Sequence, residues 1–351
     1  MTAITDPNTV DAAITPVHSD ADNATTVNDS TYDAYSCSKG WEKHRSKEYF
    51  DYRTLWEAPP KQKLFLKFPI HLDIETTNIC NLLCPMCPRT LMVEAGDPTY
   101  TEPGRISRED YASIIDQGAE HGLKSIKLNY LSEPLAHKDI CWQIEYAKKK
   151  GLLDVMINTN GALLRTDLAK GLLDAGLDNL FVSIDAISPH LFEQQRVGTS
   201  LGKVIDNLYG FVKLRDGGFP HVQIRVSMVM YDDPKWRQQY EGLKIMWKDL
   251  VDAIGFTYYC EGNKNNKNEF PEVGGFVCYQ PFERLSLKFN GAVTMCCIDY
   301  HNEINVGNWR ETKLYDIWNG EEHQRLRQTH LDGKYYQLEL CRKCYLPGGG
   351  Q

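Results

Sequence analysis

The sequence predicts an α/β fold, in which a partial (β/α)6, TIM-like barrel precedes a small module made of a β-hairpin and a helix. Two observations predict the barrel: six short runs are β-rich, and helical stretches separate them. A third observation, an Asn-Gly hairpin signal after the sixth run, predicts the module. The strand candidates are residues 70–75, 125–130, 154–159, 179–185, 222–230 and 253–259.

Helix start signals lie between the strand candidates. Ser107 followed by Asp110 forms a capping box, and Ser188 precedes Pro189 at a first helical position. Because strand and helix alternate throughout, we expect parallel strands joined by crossovers. Six units are too few for a complete eight-unit barrel, so the barrel over residues 65–260 is predicted to be partial.

The C-terminal module follows a polar stretch that is rich in Gly and Asn. This stretch, residues 261–275, is typical of a linker, and the module is predicted over residues 276–351. Asn290 and Gly291 separate two β-rich runs and predict a type I′ turn, which needs positive φ at both central residues. A helix is expected from about residue 313 to 329.

The N-terminal part has a different composition. Residues 1–38 contain no Lys, Arg or Leu, and we expect a disordered acidic tail there, followed by an N-terminal extension over residues 39–64. The tail lacks the basic start and apolar run of a signal peptide. No stretch approaches the roughly 20 apolar residues that cross a bilayer, so we expect no membrane contact and a cytoplasmic location.

The amino-acid composition and net charge restrict the classes of molecule that the protein is expected to bind. Hydrophobic residues make up 42% of the 351 residues and charged residues 25%, as in globular proteins. A net charge of -8 gives no footprint for nucleic acid, so a small-molecule or peptide substrate is favoured. Without an export signal, the 11 cysteines are expected to be metal ligands or catalytic groups rather than disulfides.

Two groups of cysteines have the spacing of metal ligands. Cys80, Cys84 and Cys87 follow the first strand candidate, and three thiolates can hold one face of a four-iron cluster while leaving the fourth iron open. The second group can close a complete four-iron cluster, with zinc as the alternative for both groups. It consists of Cys278, Cys296, Cys341 and Cys344.

The CxxxCxxC loop after the first of six βα units resembles the radical S-adenosylmethionine superfamily, over about residues 65–260. The resemblance implies a 4Fe–4S cluster on Cys80, Cys84 and Cys87, with S-adenosylmethionine at the open iron. Reductive cleavage of this cofactor would release a 5′-deoxyadenosyl radical. It also implies a low-potential electron donor such as flavodoxin or ferredoxin.

Motifs at the carboxyl ends of the strand candidates match positions that hold S-adenosylmethionine in this family. Ser132, Glu133 and Pro134 resemble the Gly-Glu-Pro motif for the methionine amino group, with Ser in place of Gly. Arg196 resembles the basic residue that meets the methionine carboxylate. The other residues implied to line the cofactor are Met86 and Val226 near adenine, and Asn160, Ser183 and Asp185.

The second cysteine group resembles the twitch domain, a shortened relative of the SPASM domain. This implies one auxiliary 4Fe–4S cluster, because the chain ends too soon after Cys344 for the additional cysteines of a full SPASM domain. Cys297 neighbours Cys296, and adjacent strand residues point to opposite faces, so only one should face the cluster. The family spacing favours Cys296.

The resemblance to twitch proteins suggests hydrogen-atom abstraction from a small polar substrate of the sugar or aminocyclitol class. An electron passed to the auxiliary cluster would make the enzyme a dehydrogenase. A hydrogen atom returned by Cys260, at the end of the sixth strand, would make it an epimerase, although Cys260 can also be a packed thiol. Maturation of a ribosomal peptide and a noncatalytic iron-sulfur or zinc module are the alternatives.

Overall fold

The computed structural model describes residues 4–5, 32–37, 40–56, 65–259 and 272–344. The strands are β1 (Ile4–Thr5), β2 (Tyr32–Ser36), β3 (Phe65–Leu66), β4 (His71–Ile74), β5 (Ser125–Lys127), β6 (Asp154–Thr159), β7 (Asn179–Ser183), β8 (Gln223–Met230), β9 (Ala253–Tyr258), β10 (Arg284–Leu287), β11 (Ala292–Thr294) and β12 (Asn305–Asn308).

The helices surround the sheet or belong to the C-terminal module. They are α1 (Lys47–Thr54), α2 (Pro88–Glu94), α3 (Pro98–Thr101), α4 (Arg108–Glu120), α5 (Ile140–Lys149), α6 (Thr166–Asp174), α7 (Pro189–Gln195), α8 (Leu201–Gly218), α9 (Pro234–Trp247), α10 (Gln280–Glu283), α11 (Leu314–Asn319), α12 (Glu321–Leu331) and α13 (Glu339–Arg342). No helix in these described ranges is long and apolar enough to cross a membrane.

Ten strands form one open sheet in the order β12-β11-β10-β4-β5-β6-β7-β8-β9-β2. The six strands from β4 to β9 are parallel neighbours and coincide with the six predicted runs. The helical crossovers between them explain the parallel direction, because a tight turn can join only antiparallel strands. The sheet is not closed, which confirms the predicted partial barrel.

The two faces of the sheet differ in polarity, because successive side chains of a strand point to opposite faces. One face packs against the surrounding helices and forms a hydrophobic core with them. It includes Leu72, Ile126, Leu180 and Val226. The other face lines the barrel interior and is largely polar. Substrate and cofactor groups are therefore predicted on the polar face.

The N-terminal prediction needs one correction. Tyr32–Ser36 lies inside the predicted disordered tail, yet β2 pairs with β9 along five residues. This pairing covers the backbone of β9, which would otherwise be an exposed sheet edge. The rest of the predicted tail lies outside the described residues, apart from Cys37 and from β1, which pairs with β3.

The C-terminal module continues the barrel sheet, because β10 pairs in parallel with β4. The predicted hairpin is present, with β10 antiparallel to β11. The predicted type I′ turn is wrong: Gly291 has a φ of 106°, whereas Asn290 is not among the residues with positive φ. The backbone N–H of Lys288 donates to the carbonyl of Ala292 and so closes a three-residue loop. The loop consists of a type I turn followed by Gly291 in the left-handed region. The predicted helix is divided at Gly320 into α11 and α12.

Candidate iron-sulfur and cofactor sites

The first cysteine loop lies between β4 and α2, at the carboxyl end of the parallel sheet. Leu82, Cys84 and Met86 form a small buried cluster in this loop. Side chains from the ends of β8 and β9 pack against it. They are Val229, Tyr231 and Tyr259.

The loop buries Cys84 and half-buries Cys80 and Cys87. Burial raises the pKa of Cys80 to about 11 and also raises the pKa of Cys84. Thiolates at these positions need a compensating positive charge, which iron supplies when it binds sulfur. The donor set therefore fits a cluster held by Cys80, Cys84 and Cys87.

Two nitrogen donors lie close to these sulfurs. Asn160 Nδ2 is 4.0 Å from Cys80 Sγ, and Arg196 Nη1 is 3.8 Å from Cys84 Sγ. Arg196 Nε donates to Asp185 over 2.5 Å, and the other oxygen of Asp185 accepts from Val229 N over 2.9 Å. Asp185 thus anchors Arg196 beside the loop, so two residues predicted from the family motifs form one unit.

Glu133 connects the ends of β5 and β6. Its Oε1 accepts from Thr159 Oγ1 over 2.7 Å and from Leu135 N over 3.1 Å, while its Oε2 accepts from Asn160 N over 2.8 Å. Burial raises the pKa of Glu133 to about 6. Glu133 therefore positions Asn160, and Pro134 begins a 3-10 turn directly after it. The contact of Glu133 with the methionine amino group of the cofactor stays a prediction.

Several buried polar side-chain atoms near the carboxyl ends of the barrel strands have no hydrogen-bond partner among the described residues. Such atoms are costly in a folded protein unless a ligand or water binds them. They fit a polar cofactor and substrate in the barrel. They are Asn129 Oδ1, Ser132 Oγ, Asn158 Oδ1 and Tyr259 Oη.

The placement of Val226 differs from the prediction. Its side chain is fully buried in the core on the helix side of the sheet, so it faces away from the barrel interior. Val229 lies three residues further along β8, faces the interior, and packs on the cysteine loop. The alternation of β8 contains this signal, because Arg225, Ser227 and Val229 share one face. Ser183 also faces the interior and is half-buried.

Cationic and acidic side chains both lie on the interior face. Asp73 is fully buried and pairs with Lys127 over 2.7 Å and Arg284 over 3.5 Å. Burial lowers the pKa of Arg225 to about 10, so it stays cationic at neutral pH. Glu75 is fully buried, and burial raises its pKa to about 7. Arg225 thus gives the chamber a cationic group that an anionic ligand can contact.

The second cysteine group lines one cavity, which together with the solvent space at its opening measures about 390 Å³. All four cysteines predicted as ligands are in its wall: Cys278, Cys296, Cys341 and Cys344. Burial raises the pKa of Cys278 and Cys296 well above the usual range, and the neighbouring thiols add to the shift. This set of close, buried thiols fits an iron-sulfur cluster.

Two further residues of the auxiliary module, Cys297 and His330, differ in their position relative to this cavity. Cys297 is not among the described lining residues, and the choice of Cys296 as the ligand stays a prediction. His330 lines the cavity and was missed, because a lone His on a polar helix gives no distinct signal. Within residues 40–56, 65–259 and 272–344, no three His, Cys, Asp or Glu side chains are arranged to hold a single metal ion. Cys260 lies outside the described residues.

Two family models match the chain. The radical SAM superfamily model matches residues 74–234, which contain the first cysteine loop. The SPASM model, described as an iron-sulfur cluster-binding domain, matches residues 278–345, which contain the second cysteine group.

Curated relatives are named as cyclases. A probable GTP 3′,8-cyclase of Methanocaldococcus jannaschii is 35% identical over 142 residues, covering 38% of this chain and 45% of that protein. A GTP 3′,8-cyclase of Limosilactobacillus fermentum is 24% identical over 317 residues, covering 78% of this chain and 90% of that protein. The chain thus spans less than half of the first relative and most of the second.

A solved structure has the same fold. The crystal structure of BtrN in complex with AdoMet and 2-DOIA has a TM-score of 0.51 and 18% sequence identity, covering 79% of this chain and 92% of that chain. The likeness supports the partial barrel with its C-terminal extension.

The relatives overturn the expected substrate. Both curated relatives are named for a reaction of GTP, so the sugar or aminocyclitol class is wrong. The alternatives of ribosomal peptide maturation and of a noncatalytic module are wrong for the same reason. The twitch-like cysteine spacing indicated the auxiliary domain but carried no information about the substrate.

Proposed function

Because the chain belongs to the radical S-adenosylmethionine superfamily and carries an iron-sulfur cluster-binding SPASM domain, we propose that it is a radical enzyme acting on a guanosine nucleotide. The cofactors are S-adenosylmethionine and 4Fe–4S clusters. When bound at the first loop, the cluster supplies the electron that releases a 5′-deoxyadenosyl radical from S-adenosylmethionine. We assign the first cluster to Cys80, Cys84 and Cys87.

The observation that carries the substrate proposal is the cationic Arg225 on the polar interior face of the sheet. Arg225 donates to Ser227 Oγ over 2.8 Å, and its guanidinium lies 5.5 Å from the ring centre of Phe181. Lys288 lies beside Glu75. Cationic groups within a partly closed chamber stabilise phosphate groups.

The unpartnered amide oxygens suit a purine. Asn158 is the register neighbour of Phe181, which in turn pairs with Arg225. Oδ1 of Asn129 and Oδ1 of Asn158 are acceptors without a donor among the described residues. A guanine edge offers N–H donors for such oxygens. The names of the curated relatives support the same substrate class.

The chain's own residues have distinct roles in this proposal. Asp185 anchors Arg196 for the methionine carboxylate, and Glu133 positions Asn160 beside Cys80. The hydrophobic contact of Met86 with Leu82 and Cys84 shields the loop from water. A low-potential donor such as flavodoxin or ferredoxin is proposed as the source of electrons.

The test is an anaerobic turnover assay with GTP deuterated on the ribose. We expect GTP, but not ATP or a hexose phosphate, to stimulate 5′-deoxyadenosine release and to transfer deuterium into it. The matched control replaces Cys80, Cys84 and Cys87 with Ala, which should abolish both signals. Release that does not respond to GTP and carries no deuterium would contradict the guanosine proposal while leaving the radical chemistry intact.

A further inference from the structure

The auxiliary cavity contains one nitrogenous side chain that belongs to none of the predicted ligands. His330 lies in the last turn of α12 and is 1% exposed. Its Nε2 is 3.7 Å from Sγ of Cys341, one of the four cysteines in the cavity wall. An imidazole nitrogen at this distance from a sulfur can donate an N–H···S hydrogen bond.

The ring is held in place by packing rather than by polar contacts. It stacks on Tyr335 with an interplanar angle of 17° and a centroid distance of 6.4 Å, and Tyr335 also lines the cavity. Nδ1 of His330 is buried and has no hydrogen-bond partner among the described residues. The described wall of the cavity contains no carboxylate. Among the described residues, the sulfur of Cys341 is therefore the one polar contact of the ring.

We propose that His330 is a positioning residue that donates an Nε2–H···S hydrogen bond to the Cys341 thiolate and raises the reduction potential of the auxiliary cluster. Reduction adds negative charge to a cluster and its sulfurs, and a donor directed at a sulfur stabilises that charge. The four cysteines already provide a ligand for each of four irons, so His330 acts through Cys341. The proposal does not depend on the substrate.

The test measures the midpoint potential of the auxiliary cluster by electron paramagnetic resonance during an anaerobic redox titration of the full chain. His330→Phe removes the donor but keeps an aromatic ring, and we expect a more negative potential with unchanged iron content. His330→Gln keeps an N–H donor, and we expect it to restore most of the shift. His323→Phe is the matched control, because His323 is fully buried on the same helix but is not among the lining residues.

A second measurement uses the wild-type chain labelled with 15N-histidine, so the proposal stays testable if His330→Phe does not fold. Pulsed resonance of the reduced auxiliary cluster should show a weak nitrogen coupling that is lost in His330→Gln. A strong coupling typical of directly bound nitrogen would overturn the proposal in favour of a ligand role. No coupling, or a potential that is the same in His330→Phe and the wild type, would show that His330 only packs in the wall.

Discussion

The hydroxyl of Tyr130 donates a hydrogen bond to the backbone carbonyl of Cys296 over 3.2 Å. It is also 2.8 Å from the carbonyl oxygen of Asp299. Tyr130 follows the second barrel strand, whereas Cys296 lies in the wall of the auxiliary cavity. One phenol thus connects the barrel mouth to the segment that carries a proposed cluster ligand.

Tyr130→Phe should weaken this connection without changing the proposed ligands. Loss of a buried hydrogen bond costs about 1 kcal/mol, so we expect a small loss of stability and a faster release of auxiliary iron to a chelator. Tyr146→Phe is the control, because it also removes a hydroxyl contact, to Asp116, at the surface. Equal iron release from the two variants would argue against a link through Tyr130.

Cys296→Ser and Cys297→Ser form a matched pair of adjacent substitutions. Cys296 lines the auxiliary cavity, and Cys297 is not among its described lining residues. We expect Cys296→Ser to lose the auxiliary cluster, about four irons, and Cys297→Ser to keep it. The reverse result in an iron assay would assign the ligand to Cys297.

Removal of Arg196 should weaken cofactor binding. Arg196→Met alone would leave the buried carboxylate of Asp185 unpaired, so the informative variant combines it with Asp185→Asn. A hydrogen bond to a charged group contributes about 1.5 to 3 kcal/mol, which predicts at least about tenfold weaker binding of S-adenosylmethionine. Asp185→Asn alone should have a smaller effect, and equal affinity of the double variant and the wild type would exclude the role.

Glu75 predicts a pH dependence of stability. Burial raises its pKa from 4.5 to about 7, and the nearby Lys288 opposes this shift. Between pH 4.5 and about 7, Glu75 keeps its proton in the folded chain but loses it in the unfolded chain. The free energy of unfolding therefore falls by about 3 kcal/mol as the pH rises through this range. Glu75→Gln should reduce this slope in urea titrations. Glu133, whose pKa is also raised, should leave a smaller pH dependence of the same sign. An unfolding free energy that depends on pH equally in Glu75→Gln and the wild type would contradict the raised pKa of Glu75.

The barrel could be predicted because its signals are local. Each parallel strand is a short β-rich run, and Ser107 caps α4 by accepting from Asp110 N, as the capping box predicts. The pairing of β2 with β9 was not predictable, since it joins segments more than 200 residues apart. The same reason applies to the parallel pairing of β10 with β4.

The candidate sites were predictable where residue type and spacing specify the chemistry. The cysteine groups and Glu133 meet this condition. Val226 was assigned by motif position, whereas the face of β8 decides which side chain reaches the loop. His330 and Tyr130 have their roles only through contacts that the fold creates. The substrate class depends on the chamber between distant strands, which no short motif encodes.

The radical chemistry can be tested by comparing the wild type with the Cys80, Cys84 and Cys87 triple Ala variant after anaerobic iron reconstitution. Iron content and 5′-deoxyadenosine release under strong reductant are the two measurements. We predict release from the wild type only, with the variant keeping about four irons in the auxiliary cavity. Release from the triple variant, or a wild type that binds zinc and releases none, would show that Cys80, Cys84 and Cys87 do not hold a radical-generating cluster.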